Sequence, residues 1–237
     1  KGVCQTMSRI TYLSFLSVLR RLVAGTIDKS GKQLEPRKLH SSQFGYICPF
    51  ETPEGGSVGI VKNLGLMCNF TVRTKSGIIR NILDEFKVQN LENVEPAFIY
   101  YSVKVFVNGE WYGQTDKPTE LVKKLKKLKI TGVISIYTSI AWNVNKKVIH
   151  IRTDAGRMCR PLFIVRDNKS AFTDKIHEQI KNKKWSELIN EFSYKDKDCN
   201  VLELKNKTYN MDDYFIEYLD VDESNCSMIA MTEDNLL

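Results

Sequence analysis

The stretch Phe44–Gly65, FGYICPFETPEGGSVGIVKNLG, runs from an aromatic and aliphatic segment through Pro49 into two carboxylates set among prolines and glycines. Phe44–Phe50 reads as a short buried strand that Pro49 ends, because proline has no N–H to offer a sheet ladder. Thr52-Pro53-Glu54-Gly55-Gly56 must then turn sharply, after which Ser57 or Gly56 caps a short helix from Val58 to Leu64 and Leu66–Arg73 reads as a strand. The glycines suggest a phosphate cradle, since backbone N–H groups at a helix start attract anions. No Lys-Ser or Lys-Thr follows the last glycine, which speaks against a nucleotide-binding loop of that class. Glu51 and Glu54 are spaced for a general acid/base pair, but carboxylates so placed more often cap a helix or pair with a neighbouring arginine.

Upstream, Met7–Ala24 places Ile10, Leu13, Leu16, Leu19, Leu22 and Val23 near helical spacing, with Gly25 as a left-handed stop. That pattern predicts an amphipathic helix. Arg20 and Arg21 fall in its last turn, where cations suit the negative helix end. Thr26–His40 is punctuated by glycine and proline and carries Lys29, Lys32, Arg37, Lys38 and His40, the texture of an exposed loop.

Downstream of residue 74 the composition shifts. Ile78–Phe86 reads as a helix; the alternation of Val103, Val105 and Val107 before Asn108-Gly109 predicts a hairpin returning through Trp111 and Tyr112. Lys117-Pro118-Thr119-Glu120 starts a helix with Leu121, Leu125 and Leu128 on one face and lysines, expected to be solvated, on the other. Val133–Ala141, Lys147–Thr153 and the apolar MCRPLFIV segment from Met158 read as strands, with a helical pattern around Trp185. Two short strands, Tyr214–Leu219 and Ser227–Met231, flank the acidic DVDES.

The 237 residues are 42% hydrophobic and 27% charged, a globular composition, and the net charge of +7 suits an acidic partner such as nucleic acid. Cys4, Cys48, Cys68, Cys159, Cys199 and Cys226 form no CxxC pair, so neither a zinc knuckle nor a short redox motif can be drawn, and reduced thiols of an intracellular protein are the plain reading. His40, His150 and His177 show no ligand spacing, and no Ser/His/Asp or Cys/His constellation emerges. No apolar run approaches the ~20 residues that span a bilayer. The start at Lys1-Gly2-Val3-Cys4, without initiator Met or signal pattern, leads to the expectation of a piece of a longer chain.

Five stretches, SRITYLSFLSVLRRL from Ser8, PRKLHSSQFGYICPFETPEGGSVGIVKNLGLM from Pro36, VFVNGEWYG from Val105, TDAGRMCRPLFIV from Thr153 and EYLDVDESNCSMIAM from Glu217, occur in the order found in one family. Together they resemble the middle of the second-largest subunit of multisubunit DNA-directed RNA polymerases. The resemblance implies a multidomain α+β fragment with a fork region at 1–73 and two largely scaffold external domains at 74–152 and 153–237. It makes the helix up to Arg21 similar to one lining the RNA–DNA hybrid, and the loop Thr26–Pro36 similar to a fork loop facing downstream DNA. Arg20, Arg21, Lys29, Lys32, Arg37 and Lys38 are then expected to contact nucleic acid. Arg37 and Glu54 match a basic and an acidic residue supporting the active centre, and the bend is expected to set Glu54 against Arg37 or a neighbouring basic group.

No catalytic residue and no metal ligand is expected in the chain itself. The resemblance implies Mg²⁺ held by aspartates of the largest subunit, and a zinc site in a part of the second-largest subunit outside this chain. The implied partners are the largest and other polymerase subunits, DNA template, RNA–DNA hybrid and nucleoside triphosphates, with no membrane. Phe50 in place of a small residue, and Gly56-Ser57-Val58 where nuclear enzymes tend to have a polar residue, Ala and Cys, resemble a large DNA virus polymerase. Host cytoplasm and virion would follow from that origin, the nucleus from a cellular one. The competing expectation is a free-standing nucleic-acid-binding or polymerase-associated module without catalytic role.

Overall fold

The computed structural model describes residues 4–23, 33–95, 98–189 and 214–236. The chain divides into two compact units, Lys1–Asn69 and Phe70–Leu237. Lys29 and Lys32, with most of the expected fork loop, lie outside the described residues.

In the first unit, helix α1 (Tyr12–Leu19) begins at a capping box: the Thr11 hydroxyl accepts from the Ser14 N–H, and the Ser14 hydroxyl from the Thr11 N–H. None of its residues is buried. The apolar periodicity predicts that the helix continues through Val23, but it stops at Arg20, and Arg21–Val23 forms strand β1, antiparallel to β2 (Val61–Asn63). Pairing with a segment some forty residues away half-buries Leu22 and Val23 and overrides the local helical preference.

The expected strand Phe44–Phe50 is reduced to one bridge, Ile47 to Leu64. Gly45 at φ 77° turns the chain within it, leaving Tyr46 buried and Phe44 and Phe50 exposed. Nor is Val58–Leu64 helical. Gly55 and Gly59 both hold positive φ, which breaks a helix after the single 3-10 turn Gly55–Ser57 and releases the chain into β2. Of Leu66–Arg73, only β3 (Asn69–Phe70) is strand.

The second unit is built on a five-stranded mixed sheet in the order β4-β6-β5-β8-β7, from β4 (Gln89–Asn90), β5 (Val103–Val107), β6 (Glu110–Thr115), β7 (Ser139–Asn143) and β8 (Val148–Arg152). The β5–β6 hairpin turns at Asn108 and Gly109, both at positive φ, the conformation that matches strand twist. Helix α2 (Gly77–Glu85) and helix α3 (Pro118–Ile130) bring Ile79, Ile82, Leu83, Leu121 and Leu125 into one core with Val105, Val107, Ile140, Ile149 and Ile151. Tyr112 packs against this core and donates its hydroxyl to Asp84; burial, then that carboxylate, pushes its pKa up to about 12.

Strand β9 (Met158–Phe163) pairs antiparallel with β12 (Ile216–Asp220), and β10 (Val165–Arg166) with β11 (Lys169–Ser170). Helices α4 (Asp174–Asn182) and α5 (Trp185–Leu188) supply Ile176 and Leu188 to a smaller core with Ala171 and Phe215. The acidic DVDES is not a loop but most of helix α6 (Val221–Asn225), capped by the Asp220 carboxylate, which accepts from the Glu223 N–H. Ser227–Met231 forms no strand, and Met228 is fully exposed. The architecture is α+β, as the resemblance implies.

Candidate nucleic-acid interface

The expected basic residues divide by what their side chains do. Arg20 ends α1 with its guanidinium folded onto backbone: Nη2 donates to the carbonyls of Gly65 at 2.6 Å, Cys68 at 3.0 Å and Leu66 at 3.4 Å. One charged nitrogen thereby ties together a run of carbonyls, that of Gly65 also accepting from the Cys68 N–H at 3.1 Å. Arg21, its neighbour in β1, is exposed, and no carboxylate among the described residues pairs with it.

Arg37 ends the 3-10 turn Glu35–Arg37 and clasps the glycine turn. Its Nη1 donates to the carbonyls of Gly56 and Val58, each at 2.8 Å, while Nε donates to Gln33 at 3.2 Å. The two backbones also touch. A Cβ placed on Gly59 would lie 2.4 Å from the Arg37 carbonyl oxygen and 2.6 Å from its Cα, so only glycine fits there, and its φ of +70° demands glycine independently. Lys38 pairs with Glu35 at 2.6 Å, both side chains well exposed, a contact worth little in water.

Glu54 does not meet Arg37. It is exposed, precedes the 3-10 turn without capping it through its side chain, and forms no ion pair among the described residues. The turn's carbonyls take the guanidinium instead. Glu51, weighed only as half of an acid pair, is the carboxylate that acts structurally: its Oε1 accepts from the Ser17 hydroxyl of α1 at 2.7 Å. Thr52 closes the turn from inside, accepting from the Gly59 N–H at 2.9 Å and donating to the Val61 carbonyl at 3.0 Å. The Asn63 side-chain amide donates to the Glu51 carbonyl at 2.9 Å. No local pattern reveals the Ser17–Glu51 contact, which joins residues 34 apart in sequence.

In the second unit one group of charged residues converges inside the fold. Lys129, expected on a solvated face, is 2% exposed; its Nζ donates to the Tyr218 carbonyl at 2.7 Å and to Glu223 Oε2 at 2.8 Å, with Glu217 at 3.6 Å. Burial opposes its charge, but Glu223 and Glu217 outweigh it and raise the lysine pKa. Burial pushes the Glu223 carboxyl up to about 7 against the pull of Lys129. Arg157 completes the cluster, donating to Asp220 Oδ2 and to the Tyr137 carbonyl, each at 2.8 Å. These groups brace α3 against β12 and face no opening suited to nucleic acid. No group of three or more His, Cys, Asp or Glu stands together as metal ligands among the described residues.

The comparisons with known proteins follow this division. A family profile described as RNA polymerase Rpb2, domain 3, matches residues 5–70, and one described as RNA polymerase Rpb2, domain 4, matches residues 105–166. The chain is similar to DNA-directed RNA polymerase II subunit RPB2 of Encephalitozoon cuniculi, 38% identical over 232 residues, covering 97% of this chain and 18% of that protein. It is 38% identical over 236 residues to DNA-directed RNA polymerase II subunit 2 of Arabidopsis thaliana, covering 100% of this chain and 18% of that protein. It is 34% identical over 197 residues to DNA-directed RNA polymerase subunit 2 of Acanthamoeba polyphaga mimivirus, covering 81% and 16% respectively. The chain therefore spans less than a fifth of the length of these relatives. With both profiles and near full-length alignment of this chain in agreement, it belongs to the family of the second-largest subunits of DNA-directed RNA polymerases.

Proposed function

We propose that this chain forms part of the active-centre cleft of a DNA-dependent RNA polymerase, where its first unit lies against the nucleic acid and supports template-directed nucleotidyl transfer. The observation that carries the reading is the Arg37 clasp: two charge-assisted bonds and a backbone contact fix the segment that follows the basic loop. A rigid base lets Arg21 and Lys38 meet phosphates without sequence preference, together with Lys29 and Lys32. Arg20 and Arg37 act in this reading as positioning residues. Glu54 is proposed to serve as an exposed carboxylate beside the nucleotide-addition site.

In this proposal the partners are the largest and other subunits, template DNA, the RNA–DNA hybrid and nucleoside triphosphates. Mg²⁺ would be held by the largest subunit and would supply charge neutralisation at the transferred phosphate; the zinc site belongs to a part of the second-largest subunit outside this chain. Residues 1–73 act as fork region, and 74–152 and 153–237 as successive scaffold domains. A large DNA virus source is proposed from Phe50 and Gly56-Ser57-Val58, which would place the enzyme in cytoplasmic factories and virions; a nuclear site goes with a cellular source. No helix among the described residues is long and apolar enough to cross a membrane.

The test is site-specific crosslinking from positions 21 and 38 of the assembled polymerase on a primed template. Crosslinks to template or hybrid are expected. Crosslinks to bulk protein alone, or a chain that purifies as a stable monomer without a larger subunit, would remove the reading.

A further inference from the structure

The second unit carries a surface that the active-centre reading does not use. On the sheet, direct cross-strand pairing places Trp111 of β6, Phe106 of β5 and His150 of β8 on one face, opposite the buried Val105, Val107, Ile149 and Ile151. Their rings form a row across three adjacent strands, with centroids 6.0 Å apart from Trp111 to Phe106 and 5.3 Å from Phe106 to His150. Trp111 and Phe106 lie within 22° of parallel. The indole N–H is satisfied within its own strand, by the Gly113 carbonyl at 3.0 Å, so the row makes no demand for a polar partner. All three rings are half-buried, and at the His150 end of the row Arg152 pairs with Asp222 of α6.

Cations flank the row. Lys104 on the same face holds its Nζ 4.8 Å from the Trp111 ring centre, and Lys147 holds its own 5.5 Å from the Tyr100 ring. Tyr100 and Tyr101 pack edge to face at 5.3 Å and are 77% and 76% exposed, far more than aromatic side chains without a partner usually are. Beside Tyr100 opens a cleft of about 320 Å³ lined by Ile99, Tyr100, Ser102, Lys104, Lys146 and Lys147, with no carboxylate in its lining. Lys147 is fixed at positive φ, its carbonyl accepting from the Lys104 N–H at 3.0 Å. Burial, then Arg152, holds His150 below its ordinary pKa, so it meets a ligand at neutral pH as an uncharged ring.

We propose that this aromatic and lysine-lined face binds single-stranded nucleic acid, with bases stacking on the exposed tyrosines and the end of the ring row, and phosphates on Lys104, Lys146 and Lys147. Stacking on aromatic side chains beside lysines is the recurrent chemistry of sequence-tolerant strand binding, and a duplex, whose bases are already stacked on one another, cannot use it. Charge selects the occupant: three lysines without a carboxylate fit a polyanion and disfavour an acidic-and-basic protein surface of mixed sign. The proposal stands apart from the active-centre reading.

The experiment is photocrosslinking of the assembled polymerase to oligouridine and oligothymidine of about twelve nucleotides, near the upper range of one binding module, with peptide mapping of the adducts. Adducts on residues 98–111 and 146–150 are expected, and the variant carrying Lys146→Glu and Lys147→Glu should lower their yield about fivefold or more at moderate salt. Because both lysines are exposed, that variant keeps the fold, and primed-template RNA synthesis by it should equal the parent. Trp111→Ala should reduce adducts with the variant lysines intact. Absence of adducts from these peptides, a yield untouched by the lysine reversals, equal competition by duplex, or a neighbouring subunit found seated over Trp111 overturns the proposal.

Discussion

At Gly59 a single added methyl group decides whether the turn can close against Arg37. Gly59→Ala places a carbon 2.4 Å from backbone that cannot swing away, and adds left-handed strain of roughly 1–3 kcal/mol. Gly55 is the internal control: it also holds positive φ, at +80°, but its Cβ would meet nothing within 4 Å, so Gly55→Ala should cost only about 1–2 kcal/mol. Thermal unfolding of the two variants should separate strain from overlap, with Gly59→Ala clearly the worse; equal losses would show that the backbone contact does not matter. Arg37→Lys keeps the charge but loses the Nε bond to the Gln33 carbonyl and the reach of Nη1 to the Gly56 and Val58 carbonyls, so a loss of about 1.5–3 kcal/mol in thermal unfolding is expected and, on the proposed function, slower nucleotide addition at unchanged template binding. Among single residues, Arg20, Arg21, Arg37 and Glu54 are reachable only through the family resemblance, because spacing alone gives a basic pair and a turn no assigned role. Which of those arginines would grip carbonyls is not written locally, since the Gly65 and Gly56 carbonyls are 45 and 19 residues away.

Among the elements, α3 shows what a buried charge does to pH response. Glu223 has an ordinary value of 4.5 and is pushed up to about 7 in the fold, so between those values the folded chain holds a proton that the unfolded chain has lost. Stability from this group is therefore full below pH ~4.5, falls as pH rises, and is flat again above ~7, with a span on the order of 3 kcal/mol. Denaturant titrations across that range should show the slope in the parent and a flattened one in Glu223→Gln. Lys129→Met leaves Glu217 and Glu223 without their cation and should cost about 3–5 kcal/mol, read from the same titrations. The elements themselves are unevenly legible. Asn108-Gly109 between alternating valines announces β5 and β6, and the leucine spacing announces α3, because both signals are local. Strand β1 and the burial of Lys129 are set by partners about 40 and 90 residues away, which no window of sequence contains.

For the whole molecule, the two units differ in how much core they own. Phe70–Leu237 encloses three apolar clusters and should unfold cooperatively when expressed alone, as judged by calorimetry. Lys1–Asn69 buries Tyr46, Ile60, Val61, Leu64 and Cys68, yet leaves Ile10 90%, Tyr12 79%, Leu13 73% and Leu66 93% exposed. So small a core falls short of what an isolated domain needs, and the unit alone should show fast amide exchange throughout. Patterning reads as a mixture of helices and strands with a change in texture near residue 74, whereas the division of the chain at Asn69 is set by contacts within each unit that no local window holds.

The Arg20 grip on three carbonyls also bears on how this chain can diverge. All three bonds leave from Nη2, which lies one atom farther from the backbone than a lysine Nζ, so the shorter ammonium falls short of the same oxygens. Drift toward lysine, open to most solvent-facing cations of so lysine-rich a polypeptide, is barred at this corner by geometry, whatever the genome's codon bias favours.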